Sequence, residues 1–483
     1  MNWSNSNTAW LTLTLDRKSR QPLHAQLVAH LRRLILQRKL ASGERLPASR
    51  ILAAELTVSR GTITSAFDQL VSEGYIEGRP GSGVYVATDI PDYQLSVDAD
   101  PAARRDIAMP PRPAPPRPFE TAIPEISAFP HRDWARLLEQ TWREPDTTKF
   151  SRSDPFGWGP LRQAIATHLG EWRGVRCSAE QIIITSGLSG SIELIARIAL
   201  KKGDLVLTED PGFPPLRRAL RSNDLECIAV PVDGQGFGLH NVGKKTLARA
   251  RAIAVTPSRQ FPLGTTLPLS RRLELLEWAN GSDGYVIEDD FDSEYRYQGQ
   301  PLPALMALDQ HQRVIYVGSF SKVMLPTLRL SFVVLPENLI GAAASTDRDA
   351  YNASMIAQPA LAEFMKTGGF ATHVRRMRRL YSGRQKTLLK SLNTHADDLL
   401  IAKPASGGMH IIAALTPKLA RRVADNEASV RIAKAGVTAT ALSTFFEGRA
   451  GQEGLVLGYA GYDDDSIECA VRQMAQALRR PVR

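Results

Sequence analysis

Lys322 stands directly behind the apolar run VIYVG, in the turn Ser319-Phe320-Ser321-Lys322. A lysine that ends a buried strand and points into a cleft is poorly solvated, and loss of hydration lowers the pKa of an ammonium group. Such a lysine is a nucleophile that can form a Schiff base with a carbonyl. A second polar strand end follows YVIE, where Asp289, Asp290 and Asp292 flank Phe291. A third follows IIIT, where Ser186-Gly187-Leu188-Ser189-Gly190 opens the run SIELIARIAL. A turn of small residues at a helix N-terminus presents free N–H groups to an anion such as phosphate. Arg329 lies seven residues beyond Lys322. A lysine to hold an aldehyde and an acid to keep a pyridine nitrogen protonated are what pyridoxal phosphate requires. Taken singly, each has a bland alternative: Lys322 reads as a surface amine and the glycine turn as an ordinary strand–helix joint. Ordered together along the chain, they favour the cofactor.

These residues need strands to carry them. QIIITSG, DLVLTED, ECIAVPV, AIAVTPS, GYVIEDD, VIYVGSF and LSFVVLP are short apolar runs, most of them separated by helical patterns. That alternation predicts an α/β fold, a doubly wound and mostly parallel sheet with ligands at the strand ends. It occupies residues 119–483. Before it, PPRPAPPRP is too proline-dense for helix or central strand, so residues 89–118 read as a semi-rigid spacer.

The first 88 residues are a separate module. Leu23, Leu27, Leu31, Leu34 and Ile35 recur at helical steps, and Leu40-Ala41-Ser42-Gly43 breaks that helix. Ile51, Leu52 and Leu56 read as a short second helix. Ser59 is a plausible N-cap for a third, whose Ile63, Phe67 and Leu70 face inward. Arg60, Thr62 and Thr64 then face outward, where they could reach phosphates and base edges in a major groove. YIEGRPGSGVYVA predicts a hairpin with a basic, glycine-rich tip. Three helices and a hairpin make a winged helix-turn-helix. Residues 1–88 carry half of the net charge of +10, which raises the case for nucleic acid against a merely solvated basic face.

The 483 residues, 43 % hydrophobic and 23 % charged, suggest two to four domains and exclude a wholly disordered chain. No apolar run approaches the ~18–20 residues of a membrane span, and MNWSNSNTAW lacks the pattern of a secretory signal. Cys177, Cys227 and Cys469 fit neither a disulfide framework nor a metal knuckle, which predicts a cytoplasmic protein without membrane association.

RLPASR, VSRGTI and EGYIEGRPGSGVYV resemble the DNA-binding head of the GntR family. The resemblance implies that Arg50 and Arg60 contact double-stranded DNA, that Ser59, Thr62 and Thr64 support them, and that the wing from Arg79 to Gly81 approaches the minor groove. SGLSG, EDPGF, TPSRQFPLG, IEDDFDSEYRY, RPLPAL, GSFSKVMLPTLRL and the late GYA resemble a fold-type I aminotransferase domain with a small C-terminal subdomain. A GntR-type head joined to such a domain resembles the MocR family of bacterial transcriptional regulators. That resemblance implies Lys322 as the Schiff-base lysine, Asp289 at the pyridine nitrogen and Phe213 stacked on the ring. It places Ser186, Gly187, Leu188, Ser319, Ser321 and Arg329 around the phosphate. It further implies a head-to-tail homodimer that senses pyridoxal phosphate or a small effector and controls promoters. The effector would be an amine, an amino acid, taurine, an ectoine-derived compound or the vitamer itself. A working aminotransferase with an accessory head is the alternative.

Three departures from the family pattern stand out. Phe291 replaces the Tyr common in DDYDSE, and Arg259 replaces the His of SHQFP, adding a possible cation near the cleft. EGLVLGYA offers no arginine in register for a substrate carboxylate, and Arg449 is only near it. Two further clusters have bland readings. Arg375, Arg376, Arg378, Arg379 and Arg384 read as a solvated helix face, with a DNA-backbone surface as the sharper option. Trp134, Trp142, Trp158 and Trp172 read as core or interface.

Overall fold

The computed structural model describes residues 15–17, 19, 21–90, 114–143, 154–299, 302–346, 352–448 and 451–480. Most of the proline-rich spacer, and Arg449, lie outside the described residues. The chain divides into two compact units, Met1–Pro113 and Ala114–Arg483.

In the first unit, α1 (Leu23–Leu36), α2 (Ser49–Glu55) and α3 (Arg60–Ser72) pack around one core. Leu27, Leu31, Leu34 and Ile35 of α1 meet Leu52, Ile63, Phe67 and Leu70 there, as their helical spacing requires. Leu40 ends no more than the helix: its side chain is fully buried in the same core. Ile51 lies on α2 as expected and is 41 % exposed, since the helix turns Leu52 and Ala53 inward. α3 starts where Ser59 Oγ accepts from the Thr62 N–H at 3.1 Å. β1 (Ile76–Arg79) and β2 (Gly83–Val86) pair antiparallel, Ile76 opposite Val86 and Arg79 opposite Gly83. Between them the tip passes through Gly81, whose φ of +73° is one that side-chain-bearing residues rarely adopt.

The second unit is built on a seven-stranded sheet. All seven apolar runs are strands: β3 (Ile182–Thr185), β4 (Leu205–Asp210), β5 (Glu226–Pro231), β6 (Ala250–Val255), β7 (Tyr285–Asp290), β8 (Val314–Ser319) and β9 (Ser331–Val334). Their order is β3-β9-β8-β7-β6-β4-β5, with β4 to β8 parallel and β9 antiparallel to both neighbours. Side chains alternate across a strand. Ile183, Ile287, Ile315, Val317 and Val333 therefore share one face, with helices Leu188–Ala199 and Pro214–Ser222 against it. Ile182, Ile184, Tyr316 and Val334 share the other, under helices Gly159–Arg173 and Gln358–Lys366.

A smaller antiparallel sheet follows, in the order β10 (Leu400–Ala402), β11 (His410–Leu415), β13 (Leu455–Gly458), β12 (Thr440–Ala441). Helices Gly369–His395, Asp425–Lys434 and Asp464–Arg479 cover it. The segment that leads into this unit is tied to it. The Thr438 N–H donates to Pro118 O at 2.9 Å, the Gly458 N–H donates to Phe119 O at 2.9 Å, and Phe119 is fully buried.

The arginine run on Gly369–His395 is not one solvated face. Arg375, Arg376 and Arg379 are exposed. Arg378 lies over the Trp172 ring at 5.1 Å and donates to Glu294 O, while Arg384 is buried and paired with Glu125 at 2.5 Å. Helical geometry explains the split: Arg384 falls three residues after Tyr381 and four before Leu388, both on the buried stripe. Of the tryptophans, Trp134 is core, Trp158 and Trp172 are half-buried and Trp142 is 52 % exposed. No helix among the described residues is long and apolar enough to cross a membrane.

Because Ile287 is fully buried in the central strand β7, Ile287→Ala is expected to lower stability by roughly 2–5 kcal/mol. A reduced urea midpoint, followed by tryptophan fluorescence, checks it.

Candidate cofactor and nucleic-acid sites

The alternation that builds the core also decides which polar residues meet. Asp289 has the parity of Ile287, and Asp290 that of Glu288. The two neighbouring carboxylates therefore leave β7 on opposite faces. Asp290 goes to the far face, where Oδ2 accepts from Arg173 Nε at 2.8 Å, Tyr316 OH at 2.6 Å and Ser293 Oγ at 2.9 Å. Asp289 goes to the near face, beside Val317 on β8, its register partner. One step along, Ser319 pairs with Ser331, and Ser331 with Thr185. The strand ends thus line up a carboxylate, an apolar floor and a row of hydroxyls.

Over them lies a cavity of about 280 Å³. Gly187, Leu188, Phe213, Asp289, Ser319, Ser321, Lys322 and Arg329 all line it. Ser186 is not among the lining residues; its backbone O accepts from Arg329 Nη2 at 3.3 Å. At that end the helix Leu188–Ala199 begins without a side-chain cap, so its first N–H groups are free of one. Gly187 has φ +88°, and a Cβ there would lie 3.6 Å from the Arg329 guanidinium carbon. The left-handed φ is what calls for glycine here, and the free N–H groups beside the guanidinium make an anion cradle.

At the other end, Asp289 Oδ2 is buried without a hydrogen-bond partner among the described residues. A buried carboxylate oxygen without a donor is costly unless a ligand supplies one. Burial, reinforced by Asp290 and Asp292, pushes the Asp289 carboxyl up to about 7, against the pull of Lys322. Lys322 Nζ lies 3.4 Å from Ala122 O, and burial lowers its pKa against the opposing charges of Asp292 and Asp289. A ring N–H would meet Asp289, an aldehyde Lys322 and a phosphate the Gly187 cradle, so the residues fit pyridoxal phosphate. Phe213 lines the cavity where a stacking ring is expected.

Several lining residues had no local signal. Ala122 reaches Lys322 across 200 positions of sequence. Met409 and His410 come from the small sheet's β11 and its approach. Arg259 is no free cation. It is buried, donating from Nη1 to Asp292 at 2.9 Å and from Nη2 to His410 O at 2.8 Å. Asp292 lines the cavity; burial pushes it up to about 6, while Arg259 pulls it down. Phe291 packs edge-on against Phe261, and the lining residues include no tyrosine that could stand in for the missing phenol.

In the first unit, Arg50 and Arg60 are exposed, with Arg60 Nε 3.4 Å from Ser49 Oγ. Thr62 is half-buried, its hydroxyl 2.9 Å from that of Ser59. The exposed Thr64 donates to Arg60 O at 3.0 Å. At the wing, Arg79 pairs with Glu77 at 2.7 Å and lies over the Tyr85 ring at 4.5 Å; Gly81 is exposed at the tip.

A winged head and a cofactor-type cavity define a regulator built on an aminotransferase scaffold, and comparison with known proteins agrees. Residues 23–86 match the family model of bacterial regulatory proteins of the gntR family, and residues 135–473 that of aminotransferase class I and II. The chain is 37 % identical to the "Probable rhizopine catabolism regulatory protein MocR" of Rhizobium meliloti, over 96 % of each chain. It is 31 % identical to the HTH-type pyridoxine biosynthesis transcriptional regulator PdxR of Corynebacterium glutamicum, covering 97 % of this chain and 98 % of that one. Among solved structures, kynurenine aminotransferase of Pyrococcus horikoshii superposes with a TM-score of 0.66 at 26 % identity, covering 75 % of this chain and 90 % of that chain. The chain belongs to the MocR family of transcriptional regulators, and its cofactor is pyridoxal phosphate.

The buried acids set a pH dependence. Glu209 is also pushed up to about 7 by burial. Each holds its proton to higher pH in the folded chain than in the unfolded one. Between about pH 4 and 7 the native state binds more protons, so stability falls as pH rises. Asp289→Asn removes one such contribution. Thermal midpoints of the cofactor-free protein are expected to fall less steeply across that window than those of the wild type.

Proposed function

We propose that the chain is a cytoplasmic, homodimeric regulator in which residues 1–88 hold promoter DNA, 89–118 form the spacer and 119–483 sense an amine through Lys322. The observation that carries this reading is the pairing of an intact DNA-facing surface, with Arg50 and Arg60 exposed beside α3, with a lysine and an orphaned carboxylate facing one cavity. When bound, the cofactor supplies an aldehyde that a primary amine captures, whether from Lys322 or from an effector. The protein's own residues do the rest. Gly187, Leu188, Ser319, Ser321 and Arg329 hold the phosphate, with Ser186 anchoring Arg329. Asp289 holds a proton on the ring nitrogen, and Phe213 fixes the ring plane.

The relatives named for rhizopine and pyridoxine support control of amine or vitamin metabolism. An effector acts only by binding two arrangements of the protein with different affinity, and exchange at Lys322 supplies such a difference. The aminotransferase scaffold serves as a sensor in this reading; sustained turnover of an amino donor and a keto acid would mark it as an enzyme instead.

Two variants separate the parts. Arg60→Ala should cost about 1–3 kcal/mol in binding DNA of its own promoter and leave borohydride trapping of the cofactor on Lys322 intact. Lys322→Ala should abolish trapping, read by mass spectrometry, and keep DNA binding in a mobility-shift assay. A Lys322→Ala protein that still traps the cofactor overturns the lysine assignment.

A further inference from the structure

The cavity has a distinctive aromatic wall. Phe213, Pro215, Phe261, Phe291 and Met409 line it. Phe261 meets Phe213 at 5.1 Å and Phe291 at 5.7 Å between ring centroids, both edge to face. Behind these rings the packing stays apolar: Leu442, Phe445 and Val456 are buried against Phe261, with Leu263 and Ile412 beside them. Val456 is fully buried on β13, within the EGLVLGYA segment in which no carboxylate-binding arginine stands in register.

The charges around this wall point the same way. Two cations, Lys322 and Arg329, are among the lining residues, and the reading above commits them to the aldehyde and the phosphate. Arg259 lies next to the site but is not among the residues lining it; it is engaged by Asp292 and by the carbonyl of His410, with Nε unpartnered among the described residues. Of that pair Asp292 lines the cavity, its carboxylate held in the ion pair with Arg259. His410, against Arg259 and fully buried, is held neutral, its pKa well below the usual imidazole value. An acid group entering here would leave water for a wall of apolar side chains beside a carboxylate already paired with its own arginine, a transfer that is unfavourable without a further cation to meet it. An apolar body would exchange water for ring contacts.

We propose that the effector of this chain is a primary amine with a compact apolar body and no carboxylate or sulfonate. This rests on the sensor reading and narrows it, setting aside amino acids and taurine. The test titrates cofactor-loaded, full-length protein with matched pairs: 2-phenylethylamine against L-phenylalanine, and butylamine against 4-aminobutyrate, with taurine as a third acid. Concentrations are expressed as free base. The readout is the change in cofactor absorbance, repeated with promoter DNA present. Each neutral amine is expected to act at a concentration at least tenfold below that of its acidic partner. An acid that matches or outperforms its amine overturns the proposal, as does a protein indifferent to both members of every pair. Borohydride trapping on Lys322 is run on the same preparation. Its loss would refute the sensor reading itself, whereas intact trapping with an acid preference refutes the effector class alone.

Discussion

The site of the large unit turns on a carboxylate oxygen that the sheet buries and, among the described residues, does not satisfy. Asp289 Oδ2 has no donor among the described residues. The fold sustains this because β7 lies in the middle of a parallel sheet whose neighbours fix its depth and parity. Asp290, one residue on, receives three donors on the opposite face. A shift of one residue in register would exchange the two, carrying Asp289 to the far-face donors and Asp290 away from them to the cavity. Lys322, Val317 and the Ser319–Ser331 row take their places from the same registers, so the site and the sheet are one arrangement.

Most of this was legible in the sequence because it is local. Strands announce themselves as apolar runs, and a polar residue just after such a run stands at a strand end. Seven runs were read as seven strands, and eight of the nine residues expected around the cofactor line the cavity. Charge and spacing likewise mark a three-helix head with a hairpin. What was not legible is long-range. Nothing near Ala122 announces Lys322, and nothing near His410 announces Arg259. The direction of β9 and the inward turn of Arg384 depend on partners far off in sequence.

Arg259 shows how a departure from a family pattern can be misjudged from residue type alone. As a lone substitution for histidine, it adds a positive charge near the cleft. In the fold it brings together the loop after β6, the loop after β7 and the start of β11, and its charge is spent on Asp292. A buried pair of this kind contributes little net stability, since desolvation opposes the Coulomb attraction. It does fix geometry. Gly408 must remain without a side chain, because a Cβ would come within 2.2 Å of the guanidinium. The small sheet is thereby keyed to the floor of the cavity.

The entry segment that follows the proline-rich stretch runs directly past that floor. Pro118 and Phe119 are stitched to Thr438 and Gly458, Ala122 offers its carbonyl to Lys322, and Glu125 grips Arg384. The tether's root is therefore also part of the cavity's rim. Three residues separate the stitched Pro118 from the carbonyl that accepts from the lysine amine. At most about 14 Å of extended backbone therefore lies between the lysine's hydrogen-bond partner and the stitch at Pro118 that fastens the chain to the large unit.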